Sequence, residues 1–159
     1  MRHALAFLAV LFIAVPLFAV DLGRADGALV IDGNKIPLQY AYAVDHQKNL
    51  LSNKNNETRI ILTDKPLADG VKLDDIENSF PDGVLGVVFT INPKDEISHI
   101  FVANPTGTYD AGYFEGVPDY SFRRHKTDRG TLGGAVSSKK VTTNTMTFYF
   151  DADFAATVR

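Results

Sequence analysis

Along much of this chain, apolar and polar residues alternate with a period of two, which is typical of a β-strand with one buried face. The clearest case lies near the end of the chain. There the apolar residues Met146, Phe148, Phe150, Ala152 and Phe154 alternate with Thr145, Thr147, Tyr149, Asp151 and Asp153. The pattern predicts a last strand over residues 145–154, with one buried apolar face and one solvent-exposed polar face (its wet face).

Shorter apolar runs recur along the chain and are separated by turn residues, which predicts an antiparallel all-β protein. The strand-like runs cover residues 28–31, 35–44, 58–63, 84–91, 96–103, 120–124 and 131–137. Only Leu73, Ile76 and Phe80 have helical spacing, and they predict one short helix within residues 67–80. We therefore expect an antiparallel β-sandwich, or a small barrel, of about seven to nine strands with at most one short helix.

The first two strand-like runs predict a hairpin with two possible registers. Either residues 32–33 or residues 33–34 can form a two-residue loop. The second choice places Ile31 opposite Ile36, so cross-strand packing favours it. The alternation then assigns the following residues to the buried face of the second strand: Ile36, Leu38, Tyr40, Tyr42 and Val44.

The beginning of the chain has the layout of a secretory signal. Arg2 and His3 precede a nearly unbroken apolar run from Ala4 to Val20. A bilayer core requires about 20 apolar residues in a helix, whereas this run is shorter and contains Pro16. Cleavage is therefore favoured over anchoring, and we expect no stable membrane insertion of the mature chain.

Two positions fit the cleavage. Ala19 and Ala25 both have the small side chain that is needed before the cut. Leu17, three residues from the first candidate cut, is larger than the small residue that usually occupies that position. We predict that residues 1–19 are a signal peptide, with a cut as late as residue 25 left open. Residues 26–159 are expected to form a single domain in the periplasm or outside the cell.

Composition narrows the possible partners. The chain contains no cysteine, so it has neither a disulfide nor a thiol for lipidation. Its net charge is -3, which argues against a nucleic-acid partner. Because 45% of its residues are hydrophobic, the chain can bury a full core.

The sequence contains no nucleophile elbow, zinc-binding HExxH helix or glycine-rich phosphate loop. We therefore assign no catalytic residue, no metal ligand and no cofactor. Asp45 next to His46, and Asp128 near His125, would give at most a loose set of metal ligands. His99 lies on a strand face, where a hydrogen-bonded core histidine is the commoner outcome.

A ligand site is predicted at one end of the fold. Residues 104–116 show neither the apolar spacing of a helix nor the alternation of a strand, which indicates a long loop. Long loops are often functional. A neighbouring basic stretch could hold an anion. The candidate ligand-binding residues are Tyr109, Tyr113, Phe114, Arg123 and Arg124.

Residues 27–34 contain a G-x-x-x-x-D-G pattern, residues 40–43 contain Ala-Tyr-Ala, and residues 62–66 read Leu-Thr-Asp-Lys-Pro. This pattern resembles small secreted bacterial β-rich proteins of unassigned function. A glycine bend at residues 130–134 and an aromatic last strand are similar to those proteins as well. The resemblance implies an envelope or extracellular location and a β-rich domain, and it implies no catalytic residue.

The sequence thus favours an exported, non-enzymatic binding or interaction module of the bacterial cell envelope. Its partner would be a small ligand or an envelope protein. One alternative is a secreted hydrolase acting on an envelope polymer, with Asp45, His46 or His125 in acid-base roles. Another is a structural assembly subunit that is joined through sheet edges.

Overall fold

The computed structural model describes residues 20–47, 56–104, 107–111 and 120–159, which form an antiparallel β-structure. Strands account for 62% of the structure and helix for 5%. The strands are β1 (Arg24–Ile31), β2 (Asn34–Gln47), β3 (Asn56–Thr63), β4 (Gly86–Ile91), β5 (Ile97–Asn104), β6 (Gly107–Ala111), β7 (Tyr120–Arg124), β8 (Thr131–Ser138), β9 (Val141–Thr142) and β10 (Thr147–Thr157). A 3₁₀ helix (Leu73–Asn78) lies between β3 and β4. The prediction of an antiparallel all-β fold with one short helix is confirmed.

The strands form one continuous sheet that curls into a half-barrel. Their order is β6-β5-β4-β3-β2-β1-β10-β8-β7, with β9 paired to β10. Strands β1 to β6 follow one another as a meander, and β10 inserts between β1 and β8. Of the residues that the structure describes, none forms a helix long and apolar enough to cross a membrane.

The main core fills the inner face of the half-barrel. Phe122 on β7 lies 6.1 Å, between ring centroids, from both Phe89 on β4 and Phe154 on β10. These rings pack β7 against the inner side of β4, so side chains connect strands that lie far apart in the sheet order. Burial of each such ring contributes about 2–3 kcal/mol, and this large apolar gain favours the curl.

The β1–β2 hairpin adopts the register that the sequence disfavoured. Ile31 pairs with Asn34, so residues 32–33 form the loop and the favoured register was wrong. Asp32 and Gly33 have φ angles of 49° and 84°, as a type I′ turn requires, and an Asp-Gly pair suits that turn. Asp32 also accepts a hydrogen bond of 2.8 Å from the backbone N–H of Thr147 on β10.

A β-bulge changes which face of β2 is buried. The register of β1 on β2 shifts between Arg24 and Gly27. Leu38 points into the main core, and beyond the bulge it is Ala41 that points there, while Tyr42 packs on the outer face. The predicted inward orientation of Tyr42 was therefore wrong, because the alternation along β2 reverses at the bulge, where β1 advances three residues and β2 advances two.

The segment of residues 64–85, which we call the cover segment, crosses the outer face of the sheet. Its 3₁₀ helix buries Ile76 completely against Ile61, Val88 and Phe101. The hydroxyl of Tyr42 accepts a hydrogen bond of 2.8 Å from the backbone N–H of Leu67. The helix predicted from the spacing at residues 67–80 exists, and it shields a second, smaller core cluster.

The predicted loop at residues 104–116 contains a strand. Strand β6 pairs with β5 from Asn104 opposite Gly107 to Ile100 opposite Ala111, so the loop prediction was wrong for residues 107–111. The edge of β5 supplies hydrogen-bonding groups that the local sequence does not reveal. Residues 105–106 and 112–119 lie outside the described residues.

Candidate functional site

A cluster of charged side chains continues the second core on the outer face. Arg59 on β3, Thr90 on β4 and His99 on β5 are direct cross-strand neighbours, and all three are buried. Glu77 approaches from the 3₁₀ helix, and Asp110 approaches from β6. We call Arg59, Glu77, His99 and Asp110 the clasp.

The clasp is held by short polar contacts around His99. Its Nε2 lies 2.7 Å from Asp110 Oδ1, and its Nδ1 lies 3.1 Å from Glu77 Oε1. The same Glu77 oxygen lies 3.4 Å from Arg59 Nη2. The Arg59 guanidinium also donates a hydrogen bond to the backbone carbonyl of Asp74, at the start of the 3₁₀ helix. Two positive and two negative groups therefore join the cover segment to the sheet.

Burial and charge shift the clasp pKa values in opposite directions. For His99, burial is the largest single effect and lowers the pKa, but contacts with Glu77 and Asp110 outweigh it, so the pKa is raised above the usual 6.5. For Glu77, burial raises the pKa, yet His99 and Arg59 lower it below the usual 4.5. The contacts therefore favour the charged form of both groups.

His46 lies next to the clasp and differs from His99. Burial and the positive charge of Arg59 lower its pKa below 6.5, with burial the larger cause. Its Nε2 lies 3.4 Å from Arg59 Nη2, where a neutral ring nitrogen can accept a hydrogen bond. The pKa values of these two histidines are therefore shifted in opposite directions.

The geometry of His99 suits a structural role better than acid-base catalysis. Its side chain is 7% exposed, and each of its two nitrogens faces a carboxylate. A histidine that acts as a general base needs one nitrogen directed at the substrate. The clasp therefore works as an ionic link that fastens the cover segment.

The structure does not bring Asp45 and His46 together, and the carboxylate that it places next to His125 is that of Asp153 rather than Asp128. Asp45 and His46 are successive residues of β2, so their side chains point to opposite faces. His125 Nε2 lies 3.7 Å from Asp153 Oδ1, with both side chains largely exposed. In the described ranges, no group of three or more His, Cys, Asp or Glu side chains could hold a metal ion.

Of the predicted ligand-binding aromatic residues, the structure describes Tyr109 alone. It belongs to β6 rather than to a loop, and its ring centroid lies 4.8 Å from that of Phe148. Its hydroxyl lies 3.5 Å from the hydroxyl of Tyr120, so its ring faces the half-barrel interior. Tyr113 and Phe114 lie outside the described residues.

The two predicted arginines do not act together. Arg123 and Arg124 are successive residues of β7, which places them on opposite faces. The Nε of Arg124 donates to both carboxylate oxygens of Asp95, at 2.9 and 3.0 Å, in a bidentate pair that links β7 to the β4–β5 turn. Arg124 is thus paired within the protein, whereas Arg123 is exposed beside Ala135.

A second candidate site lies where the cover segment does not reach. In the outer faces of β10, β1 and β2, Tyr149, Val30 and Lys35 are successive cross-strand neighbours, with Asp151 next to them. Two shallow hollows share Val30 and Tyr149. We call this surface the open face; its hollows are also lined by Asp26, Gly27, Ala28, Asp32, Gly33, Lys140 and Thr147.

Tyr149 is the distinctive side chain of the open face. It is 44% exposed, and Leu22 is the other exposed large hydrophobic side chain in the part of the chain that the structure describes. Sequence reasoning did not select it as a site residue. The available signal was an aromatic residue on the wet face of the last strand, between Thr147 and Asp151.

No family model, curated protein or solved structure matches the chain.

Proposed function

We propose that the protein is an exported, non-enzymatic binding module of the bacterial cell envelope, and that its open face holds a glycan chain. The observation that carries this proposal is the exposed ring of Tyr149 at the boundary of two hollows. A sugar can place its C–H face against such a ring and its hydroxyl groups against neighbouring charged side chains.

The charges of the open face support a neutral, hydroxyl-rich ligand. Lys35 and Lys140 supply donors, while Asp32 and Asp151 supply acceptors, around the same ring. Such mixed charge does not select a strongly acidic or basic ligand. It does provide hydrogen-bonding groups of both kinds, which sugar hydroxyls can use.

The shape of the open face supports an extended ligand. The line from Tyr149 through Val30 to Lys35 crosses three adjacent strands. Neighbouring strands are about 4.8 Å apart, so this line is about 10 Å long. Cross-strand packing holds these residues on a rigid sheet, which limits the entropy lost on binding.

A non-enzymatic role is preferred to the hydrolase alternative because of where the structure places the histidines. The side chains of Asp45 and His46 point to opposite faces of β2. His125 lies on the surface beside an exposed Asp153, and both nitrogens of the buried His99 face carboxylates. The export part of the proposal depends on the signal-like layout of residues 1–19, which lie outside the described residues.

The test is calorimetric titration of the processed protein with a soluble tetrasaccharide of β-1,4-linked N-acetylglucosamine. We expect saturable binding, and at least tenfold weaker binding for Tyr149→Ala, a loss of about 1.4 kcal/mol. Leu22→Ala is the matched control and should bind like the wild type, since Leu22 is the other exposed large hydrophobic side chain among the described residues and lines neither hollow.

Three results would overturn the proposal. The first is no binding at millimolar sugar, and the second is equal affinity of Tyr149→Ala and the wild type. The third is the release of new reducing ends during incubation, which would favour the hydrolase instead. A rise in melting temperature with sugar concentration provides an independent check on binding.

A further inference from the structure

The open face is divided into two hollows of similar size. Tyr149 and Val30 line both hollows and form the boundary between them. The turn hollow lies beside the β1–β2 turn and is also lined by Gly33, whereas the strand hollow lies beside the first half of β1 and is also lined by Ala28. Their volumes, about 470 and 430 Å³, are nearly equal, so both can hold a chemical unit of one size.

The turn hollow has its own hydrogen-bonding groups. Asp32 lies in the β1–β2 turn, and its Oδ1 accepts a hydrogen bond of 2.8 Å from the backbone N–H of Thr147. This bond holds the carboxylate beside the hollow, and a carboxylate has further acceptor positions for a ligand. Lys140 is exposed between β8 and β9 and supplies donors to the same hollow.

The strand hollow has a separate set of polar groups. Asp26 and Asp151 line it as acceptors and Lys35 lines it as a donor, and all three side chains are exposed. Ala28, directly opposite Asp151, places only a methyl group there. The two hollows share none of these charged residues. Each can therefore bind the hydroxyl groups of one sugar ring by itself.

The two hollows follow one another along the strands. Thr147 and Asp151 line different hollows and are four residues apart on β10, a span of about 13 Å at about 3.3 Å per residue. Tyr149 lies midway between them. One sugar ring is shorter than this span, whereas two linked rings cover it and place their linkage near the Tyr149 ring.

We propose that the two hollows are adjacent subsites for two linked sugar rings, so that the open face recognises a disaccharide unit whose chain runs along β1 and β10. This inference rests on the proposed function, because it names the unit of the glycan that the open face holds. A linkage between two rings makes the binding of the second ring intramolecular. The disaccharide should therefore bind about 100-fold more tightly than the monosaccharide.

The test is calorimetric titration of the processed protein with N-acetylglucosamine and with its β-1,4-linked disaccharide and tetrasaccharide. We expect the gain of about 100-fold from one ring to two, and a change of less than about threefold from two rings to four. Equal affinity for one ring and two, or a further gain above tenfold from two to four, would overturn this inference and leave the proposed function standing. No binding of any of the three sugars would overturn both.

Two variants test the hollows separately. Lys140→Ala changes the turn hollow, and Asp151→Ala changes the strand hollow. Each should weaken disaccharide binding by about fivefold or more. Lys94→Ala and Asp69→Ala are matched controls that should bind like the wild type, since these exposed residues line neither hollow. An unchanged affinity in either hollow variant would refute the inference.

Amide NMR spectra provide a direct readout of occupancy. Gly33 lines the turn hollow and not the strand hollow, and the reverse holds for Ala28. The disaccharide should shift the backbone N–H signals of both residues during titration. A shift at only one of them would confine the ligand to a single hollow and overturn the inference.

Discussion

The substitution Glu77→Gln tests whether the clasp stabilises the fold. It keeps the size of the side chain and removes its charge. Glu77 Oε1 lies 3.1 Å from His99 Nδ1 and 3.4 Å from Arg59 Nη2, so the change leaves two buried cations with less compensation. We expect the free energy of unfolding to fall.

The magnitude follows from the burial of the three side chains. Removal of one partner from a fully buried ion pair costs about 3–5 kcal/mol. The side chains of Arg59 and His99 are 6% and 7% exposed, but that of Glu77 is 19% exposed and retains some solvent screening. We therefore expect a loss of about 2–3 kcal/mol, below the fully buried range.

The loss should depend on pH in a defined direction. Since the pKa of Glu77 is lowered in the fold, its contribution is present above about pH 4.5 and disappears as the pH falls through the folded value. Since the pKa of His99 is raised, its contribution is present below about pH 6.5 and disappears as the pH rises through the folded value. The difference in the free energy of unfolding between the wild type and Glu77→Gln should therefore be largest at pH values between these two limits.

The assay is urea unfolding followed by circular dichroism at pH 3.5, 5.5 and 8.5. Because small proteins lose about 1–3 kcal/mol of stability per molar urea, the midpoint should fall by about 1–2 M at pH 5.5. Asp69→Asn, an exposed carboxylate on the same cover segment, is the control and should change little. A loss below 0.5 kcal/mol, or one that is the same at all three pH values, would refute the reasoning.

Three further substitutions test other parts of the fold by urea unfolding. Ile76→Ala should cost about 2–4 kcal/mol, because Ile76 is fully buried beneath the cover segment, and a cost below 1 kcal/mol would contradict its anchoring role. Gly33→Ala should cost about 1 kcal/mol because the φ angle of 84° disfavours a side chain; no loss would argue against the type I′ turn. Arg124→Ala should cost less than about 1 kcal/mol, and less in 1 M salt, since the pair with Asp95 is partly exposed. A larger, salt-independent loss would show a role beyond that pair.

Local errors of prediction have two physical origins. The hairpin register depends on turn dihedrals and on a contact between Asp32 and Thr147, which are 115 residues apart. The cross-strand packing of apolar side chains in the other register does not outweigh the turn geometry and this contact. The orientation of Tyr42 depends on a bulge, which no alternation pattern reveals.

The candidate sites were only partly visible in the sequence. His99 was expected to be a hydrogen-bonded core histidine, and the structure places it among buried carboxylate contacts. The clasp as a whole was not predicted, since its four residues come from three strands and the 3₁₀ helix. Tyr149 was placed on the wet face of the last strand, but its neighbours depend on the pairing of β10 with β1.

The sequence by itself determined the all-β class, the approximate limits of most strands and the short helical segment at residues 67–80. These features follow from side-chain periodicity and turn residues, which act between near neighbours. The tertiary structure decided the insertion of β10 between β1 and β8, the curl into a half-barrel and the assembly of the clasp and the open face. Those outcomes depend on contacts between residues far apart in the chain, whose free energies no local pattern records.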